Sequence, residues 1–170
     1  MFKMETQYTE AEVKRAKSLH SMLLLDFIVV HVFLFVLALS LLKASIIPLI
    51  IMPIISIALL GSVIAKATRS ITRESCEFVL CHNLLARQRA KLFLMLFLVT
   101  GTLTTALILG GAEFGMSKIT SYALAAGIGQ LPFMVALLVL VVLEFDAEHQ
   151  CKDGKIPAAA LKLHAALKKD

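Results

Sequence analysis

Few side chains in this sequence could handle a proton or an ion inside an apolar stretch. Asp26 and His31 interrupt one such run, and Ser56, Thr100, Thr104 and Gln130 sit near the centres of three others. An imidazole titrates near neutrality, while hydroxyls and amides can pass a proton on or dress a cation. A charged side chain at the centre of a hydrocarbon layer costs about 2.5–3.5 kcal/mol on insertion scales, so each needs a partner or a purpose. Counting inward from the ends of the runs places His31, Ser56, Thr100, Thr104 and Gln130 at similar depth, where they are expected to meet as a polar cluster. Such a cluster either carries a proton, ion or small solute, or binds the helices to one another. Four of the five are uncharged, which favours helix bonding worth about 0.6 kcal/mol per contact. Asp26 lies about one turn inside the edge of its run and is expected to reach water.

A second group of reactive side chains lies outside these runs. Cys76, Cys81 and His82 fall in the string ESCEFVLCH, and His149 and Cys151 follow the last run. Thiolates and imidazoles suit tetrahedral zinc. Cys76 and Cys81 are five apart, however, or about 140° around an α-helix, so this string is not expected to form a metal site. His20, His82, His149 and His164 all lie outside the runs, leaving His31 without a second buried histidine for a haem. No cofactor is expected. The sequence has no nucleophile elbow, no phosphate-binding glycine loop and no HExxH, so an enzyme is not expected either.

The elements that must position these residues follow from hydropathy. The chain has 170 residues, 59% of them hydrophobic, with a mean hydropathy of +0.86. That exceeds the roughly 45–50% apolar content of an ordinary soluble domain. Four runs, 22–42, 44–65, 92–111 and 122–143, are each long enough to cross about 30 Å of hydrocarbon as a helix. Only Lys43 separates the first two as a charge, and the last two are joined by a short segment. The expected fold is therefore an all-α polytopic membrane protein, its four transmembrane helices arranged as two antiparallel hairpins. The polar stretch 1–21 precedes an apolar run too long for a signal peptide, so the first run is expected to act as its own uncleaved insertion signal.

Orientation follows from the basic residues, because cytoplasmic segments accumulate Lys and Arg. The arm 1–21 carries Lys3, Lys14, Arg15 and Lys17. The connection 66–91 carries Lys66, Arg69, Arg73, Arg87, Arg89 and Lys91, and the tail 144–170 carries Lys152, Lys155, Lys162, Lys168 and Lys169. These are 15 of the 17 basic residues, leaving Lys43 and Lys118 on the other side. Both termini and the connection are expected inside, in a bacterial inner membrane. The membrane also accounts for the net charge of +5, so nucleic acid is not an expected partner. Three cysteines make no disulfide framework and read as reduced thiols.

The polar segments read as helical. Thr9 and Glu12 have capping-box spacing, and neither Gly nor Pro follows before Lys43, so the arm should run into the first span. The connection 66–91 also lacks Gly and Pro, which predicts helical extensions of spans two and three with a turn near 70–75. Pro157 opens a short basic segment, read either as a helix that lies on anionic lipid or docks on a partner, or as a frayed tail, since its apolar face is mostly Ala. Pro48 and Pro53 free backbone carbonyls in span two, as Gly127, Gly129 and Pro132 do in span four. Gly127 and Gly129 also permit close helix approach, and Thr100, Gly101, Thr104 and Thr105 form a small-residue packing stripe on span three.

These features lead to a non-catalytic subunit or scaffold of a larger membrane complex, of the respiratory or secretion and conjugation type. Its partners would be lipid, other membrane subunits or further copies of itself. The basic face of Arg69, Arg73, Arg87, Arg89 and Lys91 would meet anionic lipid or a cytoplasmic protein. Two alternatives are an oligomeric channel or transporter, and an immunity or exclusion protein that blocks another membrane machine.

Overall fold

The computed structural model describes residues 8–41, 44–45, 47–111 and 113–168. Lys3, Lys43 and Lys169, which enter the charge argument, lie outside them. Helices account for nearly all of the described residues, which contain no strand. In chain order they are α1 (Glu10–Leu24), a π-helical segment π1 (Leu25–Leu34), α2 (Phe35–Leu41), α3 (Ile47–Arg73), α4 (Glu77–Gly110), α5 (Lys118–Leu124), a second π segment π2 (Ala125–Gln130), α6 (Leu131–Lys152) and α7 (Ala158–Leu167). Among the described residues, four helical stretches are long and apolar enough to cross a membrane: Glu10–Leu37, Ile50–Arg73, Glu77–Gly110 and Lys118–Lys152.

The described residues divide into two compact units. The first takes in the described residues up to Lys91 and from Val141 onward, and the second those from Leu92 to Leu140. In the first, α1 begins with the capping box: Thr9 Oγ1 accepts from the Glu12 amide at 3.3 Å, and the Thr9 amide donates to Glu12 Oε2 at 2.8 Å. Two orphan donors at the helix start are thereby satisfied, a contribution of about 1 kcal/mol. Ala16, Leu19, His20, Leu23 and Leu24 are the buried face, the i, i+3, i+4, i+7, i+8 stripe of an amphipathic helix. The same stripe logic governs α3, whose Met52, Ser56, Leu60, Val63 and Ala67 turn inward while Ile50, Ile54 and Ile57 turn out. α3 packs along α1, π1 and α2.

Glu74–Cys76, three residues with neither Gly nor Pro, separate α3 from α4. Glu74 makes this possible by accepting from the Cys76 amide at 3.2 Å, a local substitute for a turn residue. From Phe78 to Ala86 the start of α4 is buried almost all round, because several elements surround it. Tyr8 stacks on Phe78 with ring centroids 4.2 Å apart, and Val13, Ala16 and Cys151 close the same cluster. Ala147, Ile156, Ala160 and Leu163 cover Cys81 and Leu85. The short basic helix α7 thus packs on α4 through Ala160 and His164 rather than standing free.

In the second unit, Phe133 of α6 meets Phe93 and Phe97 of α4 at centroid distances of 5.3 and 5.9 Å. Ser117 caps α5 by accepting from the Thr120 amide at 3.1 Å. Gly115 just before it has φ +70°, a conformation an L side chain resists. Gly111 lies so close to Ser121 that an added methyl would run into its hydroxyl.

Candidate functional site

The most connected polar site lies in the first unit, outside the four apolar runs. His20 of α1, His82 and Arg89 of α4 and Glu144 of α6 converge there, and the His20, His82 and Glu144 side chains have no exposed surface. His20 Nδ1 is 2.6 Å from Glu144 Oε2, and Arg89 donates to Glu144 Oε1 at 2.9 Å and to the Leu143 carbonyl at 2.9 Å. His20 Nε2 lies 3.1 Å from His82 Nδ1, and His82 Nε2 lies 3.0 Å from the Lys155 carbonyl.

The hydrogen positions follow from chemistry. A carbonyl only accepts, so His82 carries its hydrogen on Nε2 and leaves Nδ1 to accept from His20 Nε2–H. One proton then lies between His20 Nδ1 and the Glu144 carboxyl. The chain can hold that proton, and it ties α1, α4, α6 and the 153–157 linker together in one arrangement. Both Glu144 oxygens are engaged, the condition under which a buried carboxylate is tolerated.

Burial, followed by the neighbouring His20 charge, pushes the His82 imidazole from 6.5 down to about 4. Folding keeps this ring neutral, whereas the unfolded chain would protonate it. Its contribution is therefore complete above about pH 6.5 and is lost as pH falls toward about 4. We predict a falling thermal midpoint on acidification through that window, with a slope of at most about 1.4 kcal/mol per pH unit. His82→Asn, which keeps a donor for Lys155, should flatten the slope. An unchanged profile would show that another group governs acid sensitivity.

Within the apolar run of the same unit, Asp26 does not reach water. It is fully buried and accepts from Ser56 Oγ at 3.2 Å through Oδ2, while Oδ1 has no hydrogen-bond partner among the described residues. His31 Nδ1 is 3.1 Å from the Asp26 carbonyl oxygen and 3.8 Å from Oδ2. Residues five apart would diverge on an α-helix, but the i→i+5 repeat of π1 sets them on one side. π segments are frequent at functional positions.

The second unit holds its own polar pair on or beside its π segment. Gln130 Nε2 donates to Thr104 Oγ1 at 2.9 Å, and Gly129 approaches so closely that a methyl there would strike Thr104 Oγ1. Thr100 returns its hydroxyl to the Leu96 carbonyl of its own helix at 2.8 Å. Thr105 is exposed and bonds the Gly101 carbonyl at 2.9 Å, and open space adjoins Gly101 and Gly127.

Of the residues assigned to a basic surface, Arg69, Arg73 and Lys91 are exposed and Arg87 is half-buried. Arg89 is turned inward to Glu144. Among the cysteines and histidines weighed as metal donors, Cys76 is half-buried, and Cys151 is buried with its thiol 3.6 Å from the Val13 carbonyl. His149 is exposed beside Asp153.

Sequence reasoning weighed His20 only as a haem ligand, which it set aside, and passed over Glu144. Their signal was positional: one stands just before the first apolar run and the other just after the last, where an acid and a base on neighbouring helices meet at the same level. No family model matches the chain, and no curated protein or solved structure matches it either.

Proposed function

We propose that the chain is a non-catalytic subunit or scaffold of a larger assembly in a bacterial inner membrane. It crosses four times as two antiparallel hairpins, with both termini and the 66–91 connection in the cytoplasm. The observation that carries this reading is the buried His20–His82–Glu144–Arg89 lock. It spends the ionisable residues at the base of the helices on rigidity, fixing arm, connection and tail as one cytoplasmic head. Arg69, Arg73 and Lys91 project from it as a basic face for anionic lipid or a protein partner. Exposed Val99, Leu109, Leu131, Leu138 and Val142 suit acyl chains, and the outward Gly101 and Thr105 suit close approach of another helix.

A second reading, an oligomeric proton or ion carrier, rests on the buried Asp26–Ser56–His31 group, since an ionisable residue inside a span marks a pathway by default. One experiment separates the two. Purified in mild detergent, the protein is expected to bring a stable hetero-complex, and in liposomes alone it should conduct no more than its Asp26→Asn variant. A homo-oligomer whose proton flux disappears with Asp26→Asn would replace the scaffold with the carrier.

Topology has its own test. Cys81 and Cys151 are buried and therefore silent to surface reagents, which leaves half-buried Cys76 as the native reporter. An impermeant thiol reagent added to intact cells is expected to miss Cys76 and to label a cysteine introduced at Lys118. Labelling of Cys76 from outside would invert the proposed orientation.

A further inference from the structure

We propose that Glu77, Cys81 and His164 form a site for a divalent transition-metal ion of the zinc kind, which clips α7 to the start of α4. Glu77 and Cys81 are four apart on α4 and so share a face, and α7 brings His164 to it. One donor atom from each lies within 4.8 Å of the other two, and His164 Nδ1 is 3.0 Å from Glu77 Oε1. A tetrahedral ion with bonds of about 2.0–2.3 Å holds its donors about 3.5 Å apart, so the three close on a metal with small side-chain movements.

The donor set selects the ion. One sulfur, one imidazole nitrogen and one carboxylate oxygen suit zinc, cobalt and their neighbours, whereas calcium and magnesium demand oxygen. Cys81 is fully buried and His164 nearly so, while Glu77 is exposed. The ion therefore arrives from the Glu77 side, and its fourth position faces solvent. The expectation of no metal rested on Cys76 and Cys81 diverging around one helix. The folded chain pairs Cys81 with two other donors, one of them 83 residues away in sequence.

A zinc-type ion binds cysteine as the thiolate, so Cys81 gives up its thiol proton when the metal enters. Binding then releases one proton per ion and strengthens as pH rises.

The same geometry without a metal is a plain Glu77–His164 ion pair, and the test separates the two. Full-length protein in detergent, stripped with chelator under reducing conditions, is titrated with Co²⁺ in mildly alkaline buffer. The expected result is one Co²⁺ per chain with a thiolate-to-cobalt charge-transfer band, reversed by Zn²⁺ and accompanied by proton release in weak buffer. Cys81→Ser should abolish the band, while Cys151→Ser, in a different cluster, should keep it. Should Cys81→Ser fail to accumulate, Glu77→Gln and His164→Gln decide instead, each weakening Co²⁺ by about tenfold or more. The absence of saturable binding, a band that survives Cys81→Ser, or unchanged affinity in both substitutes overturns the site and leaves the ion pair.

Discussion

Replacing Glu144 with glutamine is expected to destabilise the protein by about 3–5 kcal/mol, the usual cost of removing one partner from a buried ion pair. For a chain of this size that corresponds to a fall of roughly 10 °C in thermal midpoint. Glu144 accepts from His20 with one oxygen and from Arg89 with the other, at 2.6 and 2.9 Å, and its side chain has no exposed surface. Glutamine keeps the shape but loses the charge, and its amide nitrogen presents hydrogens to a donor already in place. Arg89 then faces a buried dipole instead of an anion. Glu148 is the control: four residues further on α6 it pairs with Lys17 and Lys152, whose side chains are 36% and 54% exposed. Glu148→Gln should cost clearly less than Glu144→Gln, because Glu148 is itself 13% exposed and both of its lysine partners reach solvent. Equal midpoints for the two variants in detergent would mean that Glu144 bears no structural load, and the scaffold reading would lose its main support.

Helix length and composition carried the fold's outline in the sequence. The Thr9 and Glu12 spacing placed the start of α1, and the absence of Gly and Pro from 66 to 91 foretold helices either side of a short break. These are local properties, set within a few residues by capping and propensity. The π segments were not legible, because an i→i+5 register survives only where tertiary partners hold it. Asp26 was expected to reach water and His31 to join a polar cluster at mid-depth, whereas π1 sets the two on one side and Ser56 supplies a donor to Asp26.

The lock was illegible for a different reason. His20 and Glu144 are 124 residues apart, and nothing local links them. Arg89 shows the limit of counting charges. It belonged to the basic side by position, yet its guanidinium spends its charge on Glu144 and helps the interior rather than the surface. Asp26 shows the complementary limit: a carboxylate one turn inside an apolar run can reach water, but a buried serine across the helix pair offered a nearer partner.

The second large effect concerns Leu84 and Leu85. Both lie on the buried stretch of α4, at 6% and 2% exposure, and Leu85 packs with Cys81, Ala147 and Ala160. Truncating a buried leucine costs about 2–5 kcal/mol, and a serine adds a hydroxyl that must be buried. The pair Leu84→Ser and Leu85→Ser is therefore expected to prevent accumulation of the folded protein, or to leave it aggregated on size exclusion in mild detergent. Arg87 and Arg89 make a poor comparison because Arg89 belongs to the Glu144 lock. Arg69→Gln with Arg73→Gln is the better one, since both side chains are exposed and surface substitutions stay within about 0.5 kcal/mol. This variant should accumulate and elute as the parent does, whatever it loses in lipid or partner binding. A leucine variant that behaves like the parent, beside an arginine variant that fails to accumulate, would make the connection an electrostatic surface rather than the packed centre of the first unit.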